Sequence, residues 1–198
     1  MRKLERLYHV AEASNLPSIL KHGLLSTECL LQLTGMPADG QAAFLRRHWR
    51  TGLRLADGVT IRDPAPMPPS ALAPALDDGL TPEDWYALLN GFVFLWPDRD
   101  RMERQRRACG DRPQVVMTFD ADALLADFGA SAFVSPFNVG NARRRPARRG
   151  RATLVRYAKW LEAGWPDGKR TRPPAEVLFT STVPARAPYL VDIGEPQP

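Results

Sequence analysis

The sequence predicts an α+β fold, and three observations predict it. Short apolar runs with strand character recur from Leu7 to Val191. Capped helix starts stand between many of them. The two kinds of element do not alternate strictly, which argues against a doubly wound parallel sheet. At 198 residues the chain has the length of one domain, taken here as 1–198, enough to bury about 70% of its unfolded surface without disulfide staples.

The elements follow in order. Leu7-Tyr8-His9-Val10 is a short strand, and Ser14-Asn15-Leu16-Pro17 opens a helix with a capping side chain and a proline in its first turn. Gly23 closes that helix, Ser26-Thr27-Glu28 starts a second, and a third is expected from Gln41 to Trp49. Val59 to Arg62 is a strand candidate, and the proline-rich stretch 63–73 is expected as a long loop. Thr81-Pro82-Glu83-Asp84 caps a helix whose apolar stripe is Trp85, Leu88 and Leu89. Phe92 to Trp96 is a continuous apolar run and is predicted as a buried strand. A charged helix over 98–108 follows, then a strand from Gln114 to Phe119, a helix from Asp120 to Phe128 and a strand over 132–134. Residues 137–151 are expected as a basic loop, 154–163 as a helix and 164–174 as a Gly/Pro/charge loop. Ala175 to Phe179 and Tyr189 to Val191 are the last strands.

Composition narrows the function. The net charge is +5, and of 27 basic residues 23 are Arg and 4 are Lys. Arg offers a planar fork that suits phosphates and base edges, although an Arg-, Pro- and Ala-rich composition also follows from a GC-rich genome. No run of 18 apolar residues occurs, so no membrane-spanning helix is expected. The N-terminus lacks an apolar signal region, and Cys29 and Cys109 make no framework, so a reducing cytoplasm is the expected location. His9, His22 and His48 have no carboxylate at metal-ligand spacing, so no metal is expected. The motifs of zincins, serine hydrolases, P-loops and dinucleotide folds are absent from the sequence.

Four features remain as candidates for chemistry. His9 lies in the first strand, where an ordinary strand histidine is the plainer reading. Glu176 lies inside an apolar strand; it faces solvent on the alternate side or a cleft that raises its pKa. Arg62 follows the strand before the proline-rich stretch. Arg143, Arg144, Arg145, Arg148, Arg149 and Arg151 put six guanidinium groups into nine residues. Such a block repels itself unless an anion such as a nucleic acid compensates it; otherwise it is a solvated loop.

The residues also carry a resemblance. Leu7-Tyr8-His9-Val10, Asn15-Leu16-Pro17-Ser18-Ile19-Leu20 and Gly23-Leu24-Leu25-Ser26 resemble the opening of the DarT-type DNA ADP-ribosyltransferase toxins. Phe92 to Arg99 is similar to that family's central aromatic strand. Ala175 to Phe179, with Val183-Pro184 and Ile193, is similar to the segment with its catalytic glutamate. The three blocks stand in family order over about 40 residues. The chain also resembles an uncharacterised bacterial group related to those toxins.

The resemblance implies an ADP-ribosyltransferase-like fold: two packed mixed or antiparallel sheets, with helices around a cleft for NAD as co-substrate. It implies Glu176 and Arg62 as catalytic residues. It implies His9, Asn15, Gly23, Leu24, Phe94 and Trp96 as NAD-binding residues. His9 would bond ribose hydroxyls, Gly23 would admit the nicotinamide amide, and Trp96 or Phe94 would pack on the nicotinamide ring. The segment before Glu176 would read the substrate through Trp165, Arg170 and Arg172, extended by Arg143, Arg144, Arg148 and Arg149. The expected function is ADP-ribosylation of a DNA or RNA base by a toxin or phage-defence effector, with an antitoxin or ADP-ribosyl hydrolase as a possible partner. Two alternatives stay open: an inactive Arg-rich nucleic-acid-binding protein on the same fold, and a transferase acting on protein or a small molecule. RNA 2′-phosphate removal also uses NAD on this fold, but its His and Arg signature is not placed here.

Overall fold

A computed structural model describes residues 3–49, 52–55, 58–61, 67–108, 110, 112–141, 146–180 and 182–197. The first element, β1 (Arg6–Glu12), runs through a 3-10 turn into α1 (Leu16–His22), β2 (Leu24–Leu25), α2 (Thr27–Leu33) and α3 (Ala38–Leu45). Then come β3 (Leu53–Arg54), β4 (Thr60–Ile61), α4 (Pro69–Leu72), α5 (Pro82–Asn90), β5 (Phe92–Leu95) and α6 (Arg99–Ala108). The remainder is β6 (Gln114–Asp120), α7 (Ala121–Phe128), β7 (Ala132–Ser135), β8 (Val155–Arg156), α8 (Tyr157–Ala163), β9 (Glu176–Thr180), β10 (Thr182–Val183) and β11 (Leu190–Gln197). The fold is α+β, as the sequence predicts.

Two sheets form the frame. One has the order β1-β6-β11 and the other β5-β9-β7-β8, and the strand pairings in both are antiparallel. They join at one corner, where the backbones of Tyr8 and Trp96 exchange two hydrogen bonds of 2.9 and 2.8 Å. Two-stranded ribbons, β2 with β10 and β3 with β4, lie beside them.

Period-two patterning orients the strands. In β6, Val115, Met117 and Phe119 are fully buried and alternate with partly exposed residues. In β1, Leu7 and Ala11 face the same core, so His9 shares their side. The strand β9 is buried on both faces. Val177 and Phe179 join the larger core with β6, and Leu178 joins a second core with Phe92, Trp85 and Leu72. Glu176 therefore shares the face of Leu178.

The caps explain the helix starts. Ser26 Oγ accepts from the Cys29 N–H at 3.2 Å, and Asp120 Oδ1 accepts from the Ala123 N–H at 3.0 Å. Thr81 and Asp84 form a reciprocal capping box. Elsewhere the structure shifts the expected boundaries. The third helix is Ala38–Leu45 rather than 41–49, and the proline-rich stretch holds the short helix Pro69–Leu72. Within 154–163 the chain first pairs as β8 and turns helical only at Tyr157.

The described part of the 137–151 segment is only partly a solvated loop: Arg148 and Arg151 are exposed, but Val139, Arg149 and Gly150 are buried. Arg149 is 1% exposed. Its Nε donates to the Ala147 carbonyl at 3.1 Å and its Nη1 to the Val139 carbonyl at 3.0 Å. Trp165 is likewise buried: its ring packs 5.8 Å from that of Trp160, and its Nε1 donates to the Arg172 carbonyl at 2.7 Å. The sequence counts both as substrate-facing. Backbone carbonyls take up the indole N–H of Trp165 and two nitrogens of Arg149, and residue type alone does not reveal such burial.

Candidate active site

A cavity of about 300 Å³ opens where the two sheets meet, at the lower end of the roughly 300–1,000 Å³ typical of small-molecule sites. It is lined by His9 from β1, Asn15 and Ile19 from the first helical segment, Gly23 and Leu24 behind it, Phe94 and Trp96 from β5 and its end, and Glu176 from β9. The six residues expected to bind NAD and the expected catalytic glutamate thus converge on one space.

His9 is held by its ring. Nδ1 lies 2.8 Å from the carbonyl of Phe94. A carbonyl only accepts, so Nδ1 carries the proton and Nε2 is left as an acceptor in the neutral ring. Burial pulls the His9 pKa below its usual value, opposed by the Phe94 carbonyl. The indole of Trp96 stacks nearby, its centroid 6.4 Å from the imidazole and the planes 27° apart.

Glu176 is 3% exposed. The β7–β9 register sets Ser135 directly opposite it. Ser135 Oγ lies 2.9 Å from Glu176 Oε2 and 2.7 Å from the carbonyl of Phe137. The hydroxyl has one proton to give. It donates to the carboxylate when Glu176 is ionised. When Glu176 is neutral it accepts from the acid and donates to Phe137. The Val139 N–H donates to the same Oε2 at 3.0 Å. Burial pushes the Glu176 pKa up to about 7; the Val139 and Ser135 hydrogen bonds and the charges of Arg101 and Arg149 pull the other way. Glu176 is thus poised to exchange a proton near neutrality.

Asn15 does not cap its helix. Its Nδ2 donates to the Thr60 carbonyl at 2.9 Å and its Oδ1 accepts from the Thr60 N–H at 2.8 Å. It ties β4 to the cavity wall as a strand partner would. Gly23 has φ +85°, and a Cβ there would lie 2.7 Å from the Val183 carbonyl oxygen. Close approach of β10 requires glycine at this position, which also lines the cavity.

The other expected residues fall elsewhere. Arg62, Arg143 and Arg144 lie outside the described residues. Arg148 is exposed, donating to the Pro74 carbonyl and pairing with Asp77. Arg170 is exposed, and Arg172 pairs with Asp167 at 2.9 Å while its guanidinium lies over Trp165. Ser135, Val139 and the cavity-lining Asn138, Gln105 and Gln114 were not singled out from the sequence. Only the β7–β9 register brings Ser135 to Glu176, and nothing local in the sequence announces it. Among the described residues no group of three His, Cys, Asp or Glu could hold a metal ion, and no helix is long and apolar enough to cross a membrane.

Comparison with known proteins places the chain. A family of unknown function (DUF7002) matches residues 5–190, so the chain belongs to that family. No curated protein matches it. The solved structure of Thermosipho africanus DarTG in complex with ADP-ribose is similar at 18% identity and a TM-score of 0.41. The match covers 96% of this chain and 43% of that one, so this chain spans less than half of that chain's length.

Proposed function

We propose that this member of the DUF7002 family is an NAD-dependent ADP-ribosyltransferase whose acceptor is a nucleic acid. The observation that carries the reading is the meeting of His9 and Glu176, from two different sheets, in one cavity walled by Phe94 and Trp96. The donor set fits the dinucleotide: an imidazole acceptor for ribose hydroxyls, aromatic faces for a flat cationic ring, and a buried carboxyl for the reacting carbon.

When bound, the dinucleotide supplies an ADP-ribosyl group through the bond from ribose C1′ to the nicotinamide nitrogen, and nicotinamide leaves with the bonding pair. Ionised Glu176 offsets the positive charge that builds at the reacting carbon, as carboxylates do in glycoside cleavage. It also takes the proton that the acceptor gives up on bonding to C1′. His9 orients the adenosine-side ribose through Nε2. Trp96 and Phe94 hold the ring and exclude water.

The acceptor class rests on the charge of +5, on the exposed Arg148 and Arg170 and on the partly exposed Arg172. Buried Arg149 and Trp165 take no part in it. Nicotinamide release from NAD tests the reading, measured with single-stranded DNA, duplex DNA, RNA and protein as acceptors. Release is expected with a nucleic acid and not with Glu176→Gln. No release from any mixture overturns the reaction.

A further inference from the structure

The Arg149 backbone pairs with the 75–77 segment, its N–H donating to the Ala75 carbonyl and its carbonyl accepting from the Asp77 N–H, both at 2.8 Å, while its guanidinium turns to the segment that holds Glu176 and to its own neighbour Ala147. Nη1 donates to the Val139 carbonyl at 3.0 Å, which also accepts from Trp85 Nε1 at 3.3 Å. The guanidinium carbon lies 5.3 Å from the centroid of Phe137. Phe137 and Val139 are also the residues through which the segment reaches Glu176: the Phe137 carbonyl competes for the Ser135 hydroxyl, and the Val139 N–H donates to Oε2. Nη2 is buried and has no hydrogen-bond partner among the described residues. Such a cation is costly to bury unless it serves a nearby negative charge.

We propose that Arg149 is a positioning residue for Glu176: it fixes the Val139 carbonyl from behind, and thereby aims the Val139 N–H at the carboxylate. The charge acts in the same sense as the geometry. The charged groups near Glu176 are Arg149 and Arg101, the latter from α6, and both favour the ionised acid. His9 lines the same cavity, and burial disfavours its charged form. Ser135 and Val139 supply the direct hydrogen bonds. Arg149 is therefore assigned to the acid and not to an anionic ligand. The importance of this role rests on Glu176 being the reacting group proposed above, but its physical content does not need turnover.

The test is a carbon-13 titration of the Glu176 carboxyl, with the Val139 amide followed in the same samples and no NAD or acceptor present. In Arg149→Met the Glu176 midpoint is expected to move up by roughly half a pH unit, because the Val139 hydrogen bond to the carboxylate loosens and an opposite charge is removed. The Val139 amide is expected to exchange roughly tenfold faster, as its hydrogen bond loosens. Arg149→Lys keeps the charge without the fork, so the midpoint should move less while the amide still loosens. It reads the same two signals if Arg149→Met does not fold. Arg151→Ala, an exposed neighbour, should change neither. Unchanged midpoint and unchanged amide exchange in both folded Arg149 variants would overturn the proposal. A protein that never transfers ADP-ribose still answers this test, so the two failures are separable.

Discussion

His9 donates from Nδ1 to the backbone carbonyl of Phe94, 2.8 Å away on the other sheet. This bond crosses the corner where β1 meets the end of β5, beside the paired backbones of Tyr8 and Trp96. It sets the tautomer, and with it the acceptor character of Nε2. His9→Ala is expected to raise the Kd for NAD about tenfold, the worth of roughly one good hydrogen bond. Calorimetric titration measures it, and an unchanged Kd would remove His9 from the ribose.

Glu176→Gln keeps the size and the acceptor oxygen of the side chain but not its charge. Transfer should fall by about 10²–10³-fold, as when a preorganised charge is removed from a reacting centre. NAD affinity should stay within about threefold. Full turnover in this variant would assign the chemistry to another residue.

The pH dependence has a defined sign. The folded pKa of Glu176 is pushed to about 7 from an ordinary 4.5. The reaction uses the carboxylate, so the rate should fall as the pH drops through 7, about tenfold per unit. Stability runs the other way. A raised carboxyl pKa contributes stability that is complete below about pH 4.5 and is lost as the pH rises through 7. Glu176→Gln carries no charge at any pH. It should exceed the native chain in stability by about 3 kcal/mol at pH 8, with the gap closing towards pH 5. Thermal unfolding at the two pH values measures this.

Trp165→Ala separates core from surface. With the indole buried among Trp160 and its neighbours, the loss should be about 3–5 kcal/mol of stability. Arg148→Ala and Arg170→Ala, on exposed side chains, should leave stability within about 0.5 kcal/mol. They should also weaken nucleic-acid binding and flatten its salt dependence by about one unit of slope for each phosphate no longer neutralised. An unchanged slope would return these arginines to a solvated role.

Gly23→Ala should destabilise the fold by more than about 1 kcal/mol, because both the positive φ and the Val183 carbonyl oppose a side chain. A fall in melting temperature of at least about 2 °C would register it.

Much of the frame was legible in the sequence because its signals are local. The Ser26, Thr81 and Asp120 caps, the apolar run at Phe92 and the alternation around Met117 each depend on a few adjacent residues. The opening block and the Glu176 segment pointed to candidate residues through their resemblance, and one cavity is lined by both His9 and Glu176, from opposite ends of the chain. What the sequence could not carry depends on register and burial. Ser135 meets Glu176 only through the pairing of β7 with β9. Arg149 looked like one more cation in a basic run, yet it is buried and donates to the backbone carbonyls of Ala147 and Val139. Trp165 looked like a stacking surface and is part of the core.

The measurement that tests the central claim most directly is transfer of label from adenine-labelled NAD. Purified protein is incubated with single-stranded DNA, duplex DNA, RNA or a cell-protein extract, and Glu176→Ala runs alongside. Covalent label in a nucleic-acid lane, absent with Glu176→Ala, is the predicted result. Label confined to the protein lane would contradict the acceptor, and label in no lane, or label that survives Glu176→Ala, would contradict the reaction assigned to Glu176.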